Sequence, residues 1–248
     1  MFKMFSKKKK NIEILLIVER RASAESEPYL QKIKYTTQNS NATVATMLNE
    51  LNLGDYEDEK GKQISPIKWQ CSCLQKKCGA CAMVVNGKPQ LACDCFLRDY
   101  KKNIKLKPLK KFPVIADLIV DRERLFENLK TMEVWIDGNA MIEDKDREIL
   151  YDSTHCLQCG CCLEVCPNFA NDKDFFGAAA FVPTTGVLAS ISKEQKEDLL
   201  NSYNKHIYDG CGKSLACNAI CPAGIDIENM LLHSNKISVW KNKKKKKH

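Results

Sequence analysis

One segment, residues 155–167, constrains this chain more than any other. It reads His-Cys-Leu-Gln-Cys-Gly-Cys-Cys-Leu-Glu-Val-Cys-Pro, so that Cys156, Cys159, Cys162 and Cys166 follow the spacing C-x2-C-x2-C-x3-C-P. Three thiolates three residues apart can wrap one iron–sulfur cube from a single winding segment, whereas the fourth lies too far along to complete it. In chains that hold two clusters, this fourth cysteine ligates the other cluster. The spacing therefore predicts a second, partial copy of the motif.

The second copy lies at residues 211–222, where Ser214 stands at the position of the second cysteine. If the two motifs cross over, four cysteines are available for a 4Fe–4S cluster: Cys156, Cys159, Cys162 and Cys221. The set that remains has three members: Cys166, Cys211 and Cys217. Three thiolates hold a 3Fe–4S cluster, in which one corner iron is missing. A serine oxygen could ligate iron only by losing a far less acidic proton than a thiol, so we expect Ser214 to mark a vacant-ligand position.

A third group of cysteines lies earlier in the chain. Cys73, Cys78 and Cys81 are spaced C-x4-C-x2-C, and Cys93 follows after eleven residues. This is the plant-type spacing of a 2Fe–2S cluster. A flat two-iron cluster needs two thiolates per iron, which a loop carrying three and a neighbouring strand carrying the fourth can supply.

The residues between Cys81 and Cys93 predict how that fourth cysteine returns to the loop. Ala82–Val85 and Lys88–Leu91 read as two strands joined by a tight Asn-Gly turn. Such a hairpin brings its far end back beside its start. Gly79 lets backbone N–H groups approach the sulfurs, which stabilises the reduced form of a cluster.

Two alternatives remain open for the cysteines. C-x2-C pairs also bind zinc, but the interleaved order, the two Cys-Pro pairs and the x4 gap favour iron–sulfur clusters. Cys71, Cys95 and Cys161 each neighbour a predicted ligand, so ligation could be exchanged with them. We expect these three to be small buried side chains instead.

The fourteen cysteines also indicate the compartment. Because they cluster in C-x2-C patterns and no secretory signal precedes them, they predict metal binding in a reducing environment. The apolar run Ile14–Val18 is far shorter than the roughly 20 residues of a membrane-spanning helix. Glu13 interrupts any likeness to a signal peptide.

The net charge of +8 is concentrated at the two ends of the chain. Ten lysines lie within residues 7–10 and 241–247, and without them the remaining residues carry about −2. The residues between the two lysine-rich ends therefore carry no excess of positive charge, and we expect no nucleic-acid partner. The basic N-terminal tail, residues 1–10, and the Lys-rich C-terminal tail, residues 241–248, are either solvated ends or contacts to an anionic membrane surface. In the second case each lysine contributes about 1 kcal/mol.

The first half of the chain predicts a sheet with one helix. The β-branched and apolar stretch Asn11–Arg20 and the stretch Tyr29–Thr36 indicate an N-terminal hairpin. Thr43 can cap a helix, and Ile104–Leu109 can form the last strand. Four apolar residues of that helix share one face: Val44, Met47, Leu48 and Leu51.

The second half predicts mainly helices. Phe112–Val120 is an apolar connection, and Asp121–Met132 follows as a helix. Its apolar residues have helical spacing: Leu125, Phe126, Leu129 and Met132. The pair Ser192–Gln195 forms a capping box for a helix through Tyr203, and Asp226 can cap a final helix. The cysteine motifs then lie in loops between helices.

Taken together, residues 11–240 resemble the iron–sulfur subunit of succinate dehydrogenase and fumarate reductase. Beyond the cysteines, the resemblance includes several stretches: residues 78–81, 86–88, 106–109, 112–114, 117–122 and 176–179. It implies an α+β fold, with a β-grasp 2Fe–2S ferredoxin domain at 11–115. An all-α helical ferredoxin domain with the 4Fe–4S and 3Fe–4S clusters follows at 116–240.

The resemblance also implies function and partners. Such a chain is the electron-transfer subunit of an oxidoreductase whose catalytic flavin lies on an FAD-containing partner. It passes electrons between succinate or fumarate at the flavin and a quinone at a membrane anchor cytochrome b. The chain then lies peripherally on the cytoplasmic side of the cell membrane and performs no proton chemistry of its own.

Two positions depart from many members of the family. A Trp that commonly follows the first Cys-Pro and a His that follows the first cysteine of the second motif are here replaced by Phe169-Ala170-Asn171 and Gly212. In this the chain is more similar to the branch with a single-chain dihaem cytochrome b anchor, which often uses menaquinone. The alternative function is the iron–sulfur subunit of another flavoprotein complex, such as a thiol-driven fumarate reductase or a heterodisulfide-reductase-like assembly.

Overall fold

The computed structural model of the chain describes residues 11–136, 139–140, 142–191 and 196–240. Both lysine-rich tails lie outside these residues, as does the predicted Ser192–Gln195 capping box. The first half forms a five-stranded sheet with these strands: β1 (Ile12–Arg20), β2 (Tyr29–Thr37), β3 (Ala82–Val85), β4 (Lys88–Leu91) and β5 (Asn103–Lys107). Their order in the sheet is β2-β1-β5-β3-β4.

The sheet combines a parallel central pair with antiparallel hairpins. β1 runs parallel to β5 and antiparallel to β2, while β3 pairs antiparallel with β4 and β5. Residues Ile14, Leu16 and Val18 alternate along β1 and are buried on one face, as expected for a strand with one face in the core. Both predicted hairpins are confirmed.

One helix, α1 (Val44–Leu53), covers the buried face of this sheet. It begins at Thr43, whose Oγ1 accepts from the N–H of Thr46 at 3.2 Å, while the Thr43 N–H donates to Thr46 Oγ1 at 3.2 Å. This reciprocal pair satisfies two N–H groups at the helix start. The predicted apolar face is buried throughout: Val44, Met47, Leu48 and Leu51.

The predicted apolar connection between the two halves contains a small antiparallel sheet of its own. Its strands are β6 (Val114–Ala116) and β7 (Ile119–Val120). Asp117, between them, has φ +43° and accepts from Arg20 Nε at 3.1 Å, and both side chains are 4 % exposed. The N–H groups of Arg21 and Lys68 donate to the same carboxylate. The predicted boundary at 115/116 falls inside β6, and the division into domains stays a prediction.

Helices make up most of the second half. They are α2 (Glu123–Thr131), α3 (Arg147–Ser153), α4 (Cys161–Val165), α5 (Ala178–Ser190), α6 (Lys196–Tyr203), α7 (Ala216–Ile220) and α8 (Ile227–Asn235). Turns of π-helix at Asn204–Tyr208 and Lys236–Trp240 extend α6 and α8. Helix α5 is buried along almost its whole length and forms the core of this half. Among the residues described, no helix is long and apolar enough to cross a membrane.

The helix predictions need one correction. Leu125 is buried on α2, whereas Phe126 is 62 % exposed, so Phe126 does not belong to the buried face. Neighbouring positions on a helix differ by about 100°, and Leu125 points into the core cluster that contains Phe112 and Phe175. The predicted cap of α8 is confirmed, since Asp226 accepts from the N–H of Asn229 at 3.0 Å.

Candidate metal centres

The first group of cysteines surrounds the open end of the β3–β4 hairpin. Cys73, Cys78 and Cys81 lie in the loop that leads into β3, and Cys93 lies in the 3₁₀ turn that follows β4. The hairpin returns Cys93 to the loop, so that its sulfur is 3.4 Å from that of Cys81. The structure thus brings the four predicted 2Fe–2S ligands to one place.

Backbone N–H groups point at these sulfurs. The N–H groups of Gln75 and Lys77 donate to Cys73 Sγ at 3.3 and 3.4 Å, and the N–H of Lys76 donates to Cys93 Sγ at 3.3 Å. These bonds, led by that of Gln75, lower the pKa of Cys73 to about 7. Left-handed backbone at Leu74 and Lys76 turns the N–H groups toward a common centre, which is how a loop forms an anion-binding concavity. The sequence pattern gave no signal for these two positions.

The second group lines one cavity in the helical half. All four predicted 4Fe–4S ligands contribute to its wall: Cys156, Cys159, Cys162 and Cys221. Apolar side chains that include Val182, Ile225 and Ile227 form much of the rest. Burial raises the pKa of Cys156 to about 11 and that of Cys162 well above its ordinary value. An apolar cavity lined by four thiols is suited to a cube, in which each sulfur would bind its own corner iron.

A glutamine between two of these cysteines also lines the cavity. Gln158, at φ +49°, spans the cavity wall: its Nε2 donates to Cys156 Sγ at 3.1 Å and to the carbonyl oxygen of Ala179 at 2.9 Å. Its role was not predicted, because the two residues between cysteines of a C-x2-C motif carry no pattern.

The third group joins the ends of two short helices. Cys166 ends α4, Cys217 lies on α7, and Cys211 precedes the loop that leads into α7. Burial, together with negative charge on Cys166 and Cys211, raises the pKa of Cys217 to about 11. Negative charge on Cys217 and Cys221 also raises the pKa of Cys162, so the second and third groups are neighbours. The cysteines are therefore grouped in the crossed order that the two motifs predict, while their ligation of iron stays a prediction.

Ser214 lies at the edge of the third group. It is exposed, and the residues on both sides, Lys213 and Leu215, have left-handed backbone with φ of 55° and 54°. The loop makes the turn that a cluster-binding loop makes, with a hydroxyl at the position of the second thiol.

The remaining three cysteines behave differently from one another. Cys161 is fully buried and donates to Cys159, which lowers the pKa of Cys159 to about 7. Cys95 is buried and contacts Gln90 Oε1 at 3.6 Å. Cys71 is exposed, so the expectation of a buried side chain is wrong there.

The first two groups meet where the halves of the molecule touch. Gly79, with φ +73°, packs directly against Cys159 and the carbonyl oxygen of Leu157. On the other side of the 4Fe–4S loop, Gly160 lies against the ring of Phe112. The N–H of Lys111 donates to Glu164 at 3.0 Å, and the Lys111 ammonium contacts the carbonyl oxygen of Cys166.

Comparison with protein families defines the class first. Residues 15–127 match a 2Fe-2S iron-sulfur cluster binding domain, and residues 152–225 match a 4Fe-4S dicluster domain. An α+β chain with these two domains is an iron–sulfur electron-transfer protein, and the predicted fold class is confirmed.

Relatives define the family. The chain is 33% identical over 233 residues to the "Succinate dehydrogenase iron-sulfur subunit" of Bacillus subtilis, covering 90% of this chain and 91% of the relative. It is 32% identical over 190 residues to the "Fumarate reductase iron-sulfur subunit" of Escherichia coli O157:H7, covering 70% and 74%. A chain of the "Mycobacterium smegmatis Sdh1 complex in the apo form" shares the fold, with a TM-score of 0.71 at 17% identity over 92% of this chain and 96% of that one. The chain belongs to the family of succinate dehydrogenase and fumarate reductase iron–sulfur subunits.

Proposed function

We propose that this chain carries electrons through three clusters, 2Fe–2S, 4Fe–4S and 3Fe–4S, between an FAD-containing subunit and a quinone. The reaction is succinate oxidation or fumarate reduction at the flavin of the partner subunit. The observation that carries the proposal is the crossed grouping of cysteines, with Cys221 in the cavity of the first helical motif and Cys166 beside the second. That grouping is what two clusters with seven thiolates require.

The cysteine groups supply the proposed ligands. Cys73, Cys78, Cys81 and Cys93 hold the 2Fe–2S cluster, and the 4Fe–4S and 3Fe–4S clusters take the crossed sets described above. Each cluster accepts and releases one electron at a time. The chain contributes N–H donors that favour thiolates, as at Cys73, and apolar walls that exclude water, as around Cys156.

The contacts between groups support a linear order. Gly79 of the first group lies against Cys159 of the second group. Negative charge on Cys217 of the third group raises the pKa of Cys162 of the second. The set Cys156, Cys159, Cys162 and Cys221 therefore lies between the other two sets. In this order the residues that would hold the 2Fe–2S cluster would face the flavin subunit, and those that would hold the 3Fe–4S cluster would face the membrane.

We further propose a dihaem cytochrome b anchor and menaquinone on that side, with the chain peripheral on the cytoplasmic face of the membrane. The support is local. Gly212 stands where many relatives carry a quinone-contacting His, and a Cβ there would lie 3.0 Å from Asn168 Oδ1. Asn168 is itself fixed by a 2.7 Å bond from its Nδ2 to the carbonyl oxygen of Gly210. The anchor then provides the contacts to the quinone.

The test uses the chain alone and the assembly purified through a tag on this chain. The assembly should interconvert succinate and fumarate with a quinone, and the flavin-free chain should show no activity. Metal analysis should find about nine irons per chain and no zinc. Activity of the flavin-free chain, or zinc in place of iron, would contradict the proposal. An assembly that reduces fumarate with a dithiol but not with a quinol would favour the alternative function.

A further inference from the structure

Arg122 reaches from the start of α2 into the loop of the first cysteine group. Its two terminal nitrogens donate to the carbonyl oxygens of Ala80 and Ala82, each at 3.1 Å. These alanines flank Cys81, so the guanidinium is held beside a proposed 2Fe–2S ligand by a fork of two bonds. Such a fork fixes an arginine far better than one bond fixes a lysine.

The third nitrogen of the same side chain has a different environment. Arg122 Nε is buried and has no hydrogen-bond partner among the residues that the structure describes. A buried donor without a partner costs about 1–3 kcal/mol, and a guanidinium keeps its charge at any working pH. The positive charge of Arg122 is therefore buried beside Cys81, a proposed 2Fe–2S ligand.

Cysteines of two different groups lie close enough to Arg122 to act on its charge. Burial lowers the pKa of Arg122, and the charges of Cys159, Cys161, Cys81 and Cys78 act in the opposite direction. Cys159 and Cys161 lie on the 4Fe–4S loop, whereas Cys81 and Cys78 lie on the 2Fe–2S loop. Gly79 and Cys159 touch at the same point, so a single buried cation faces both loops across the contact between the halves.

We propose that Arg122 is a positioning residue shared by the 2Fe–2S and 4Fe–4S clusters, where its fixed positive charge raises the reduction potentials of both. The inference rests on the proposed function, because it requires both clusters to be present. A cluster gains a negative charge on reduction, and a cation held nearby in a poorly solvated place stabilises that charge.

Both potentials should fall when the charge is removed. The fork of Arg122 ends on the carbonyl oxygens of Ala80 and Ala82 in the 2Fe–2S loop, and Gly79 of that loop packs against Cys159 of the other.

The experiment is an EPR-monitored redox titration of the full-length protein, purified anaerobically in the assembly in which it occurs. Three variants are compared with the wild type. Arg122→Gln removes the charge but can still donate one bond, and Arg122→Lys keeps the charge without the fork. Arg124→Gln is the matched control, since Arg124 lies two residues away but donates to the carbonyl oxygen of Lys173 at 2.9 Å and stacks over Phe176.

At a fixed potential, Arg122→Gln should lower the ratio of reduced to oxidised cluster about tenfold for both clusters, which is about 59 mV for one electron. Arg122→Lys should lower each potential by less than half of the fall expected for Arg122→Gln. Arg124→Gln should leave both potentials unchanged.

Unchanged potentials in an Arg122→Gln protein with intact clusters would overturn the inference. If Arg122→Gln loses a cluster, Arg122→Lys is the deciding variant. Both clusters present at potentials near those of the wild type would support a role for the charge. Loss of the clusters, or a fall in potential as large as that expected for Arg122→Gln, would overturn the inference. A wild type that lacks both EPR signals would instead refute the proposed function, so the two failures are distinguishable.

Discussion

Gly79 and Cys159 occupy adjoining space at the contact between the two halves of the molecule. A Cβ added to Gly79 would lie 2.8 Å from the Cβ of Cys159 and 2.6 Å from the carbonyl oxygen of Leu157. Side chains do not approach that closely, so this position excludes every residue except glycine. The consequence is that two cysteine loops from different halves of the sequence touch, which shortens the path for an electron between them.

Replacing Gly79 with alanine should therefore destabilise the contact. Left-handed backbone costs a residue with a side chain about 1 kcal/mol or more, and crowding adds about 1–3 kcal/mol. Gly87→Ala is the matched control, because Gly87 has φ +85° but nothing within 4 Å of an added Cβ. The apparent melting temperature, measured anaerobically, should fall by about 2–12 °C more in Gly79→Ala than in Gly87→Ala. Equal losses would mean that backbone strain alone matters at Gly79.

The local elements were predictable because their causes lie in short stretches of sequence. Thr43 before an apolar period of three and four predicts α1, and an Asn-Gly pair between two short strands predicts the turn of the β3–β4 hairpin. The cysteine groups were predictable for the same reason, since cluster ligands follow fixed spacings. The exposure of Phe126 was not predictable from periodicity, because the side of α2 that faces the core is a property of the tertiary fold.

The contacts that unite the halves were not predictable from the sequence either. Gly79 was recognised as a residue that admits N–H donors to a cluster, but its packing against Cys159 depends on how the two loops meet. The contacts of Gln158 and Arg122 were not predictable for the same reason. Their partners are backbone carbonyls and sulfurs that are distant in sequence, and no spacing rule relates them.

The ligand register of the 2Fe–2S site can be tested with two neighbouring cysteines. Cys73 receives two backbone N–H bonds and lies among the other three ligands, whereas Cys71 is exposed. Cys73→Ala should abolish the rhombic EPR signal of the reduced 2Fe–2S cluster and leave the other two clusters in place. Cys71→Ala should leave all signals intact. The reverse result would show that the register is wrong by two residues.

The buried pair Arg20–Asp117 should be important for folding. Its carboxylate accepts the Arg20 side chain and the N–H groups of Arg21 and Lys68, which connect β1 to the turn between β6 and β7. Asp117→Asn keeps a residue that tolerates left-handed backbone but leaves the Arg20 charge unpaired. The free energy of unfolding should fall by about 3–5 kcal/mol.

A surface pair provides the control for that measurement. Arg98 and Asp99 are 4.0 Å apart and both are well exposed, so Asp99→Asn should change the free energy of unfolding by at most about 1 kcal/mol. Denaturant unfolding under anaerobic conditions compares the two variants. Similar small losses would mean that Asp117 contributes through backbone geometry and not through its charge.

Ser214→Cys tests the vacant corner of the third cluster. The substitution restores the full C-x2-C-x2-C-x3-C spacing in an exposed loop that already makes the necessary turn. The variant should recruit a fourth iron, lose the oxidised 3Fe–4S signal and have a lower potential at that site. Transfer to quinone should slow more than transfer between flavin and an artificial dye. Ser214→Ala, which adds no ligand, should retain the oxidised signal.

The central claim is that electrons from succinate pass through three clusters of this chain, and an EPR spectrum before and after addition of succinate tests it most directly. The anaerobically purified assembly, once oxidised, should show a near-isotropic signal close to g of about 2 from the 3Fe–4S cluster. Succinate should diminish that signal and produce the rhombic signal of the reduced 2Fe–2S cluster, and removal of the flavin subunit should abolish both changes. A protein without the oxidised signal, or one whose clusters are reduced by dithionite but not by succinate in the presence of the flavin subunit, would contradict the account.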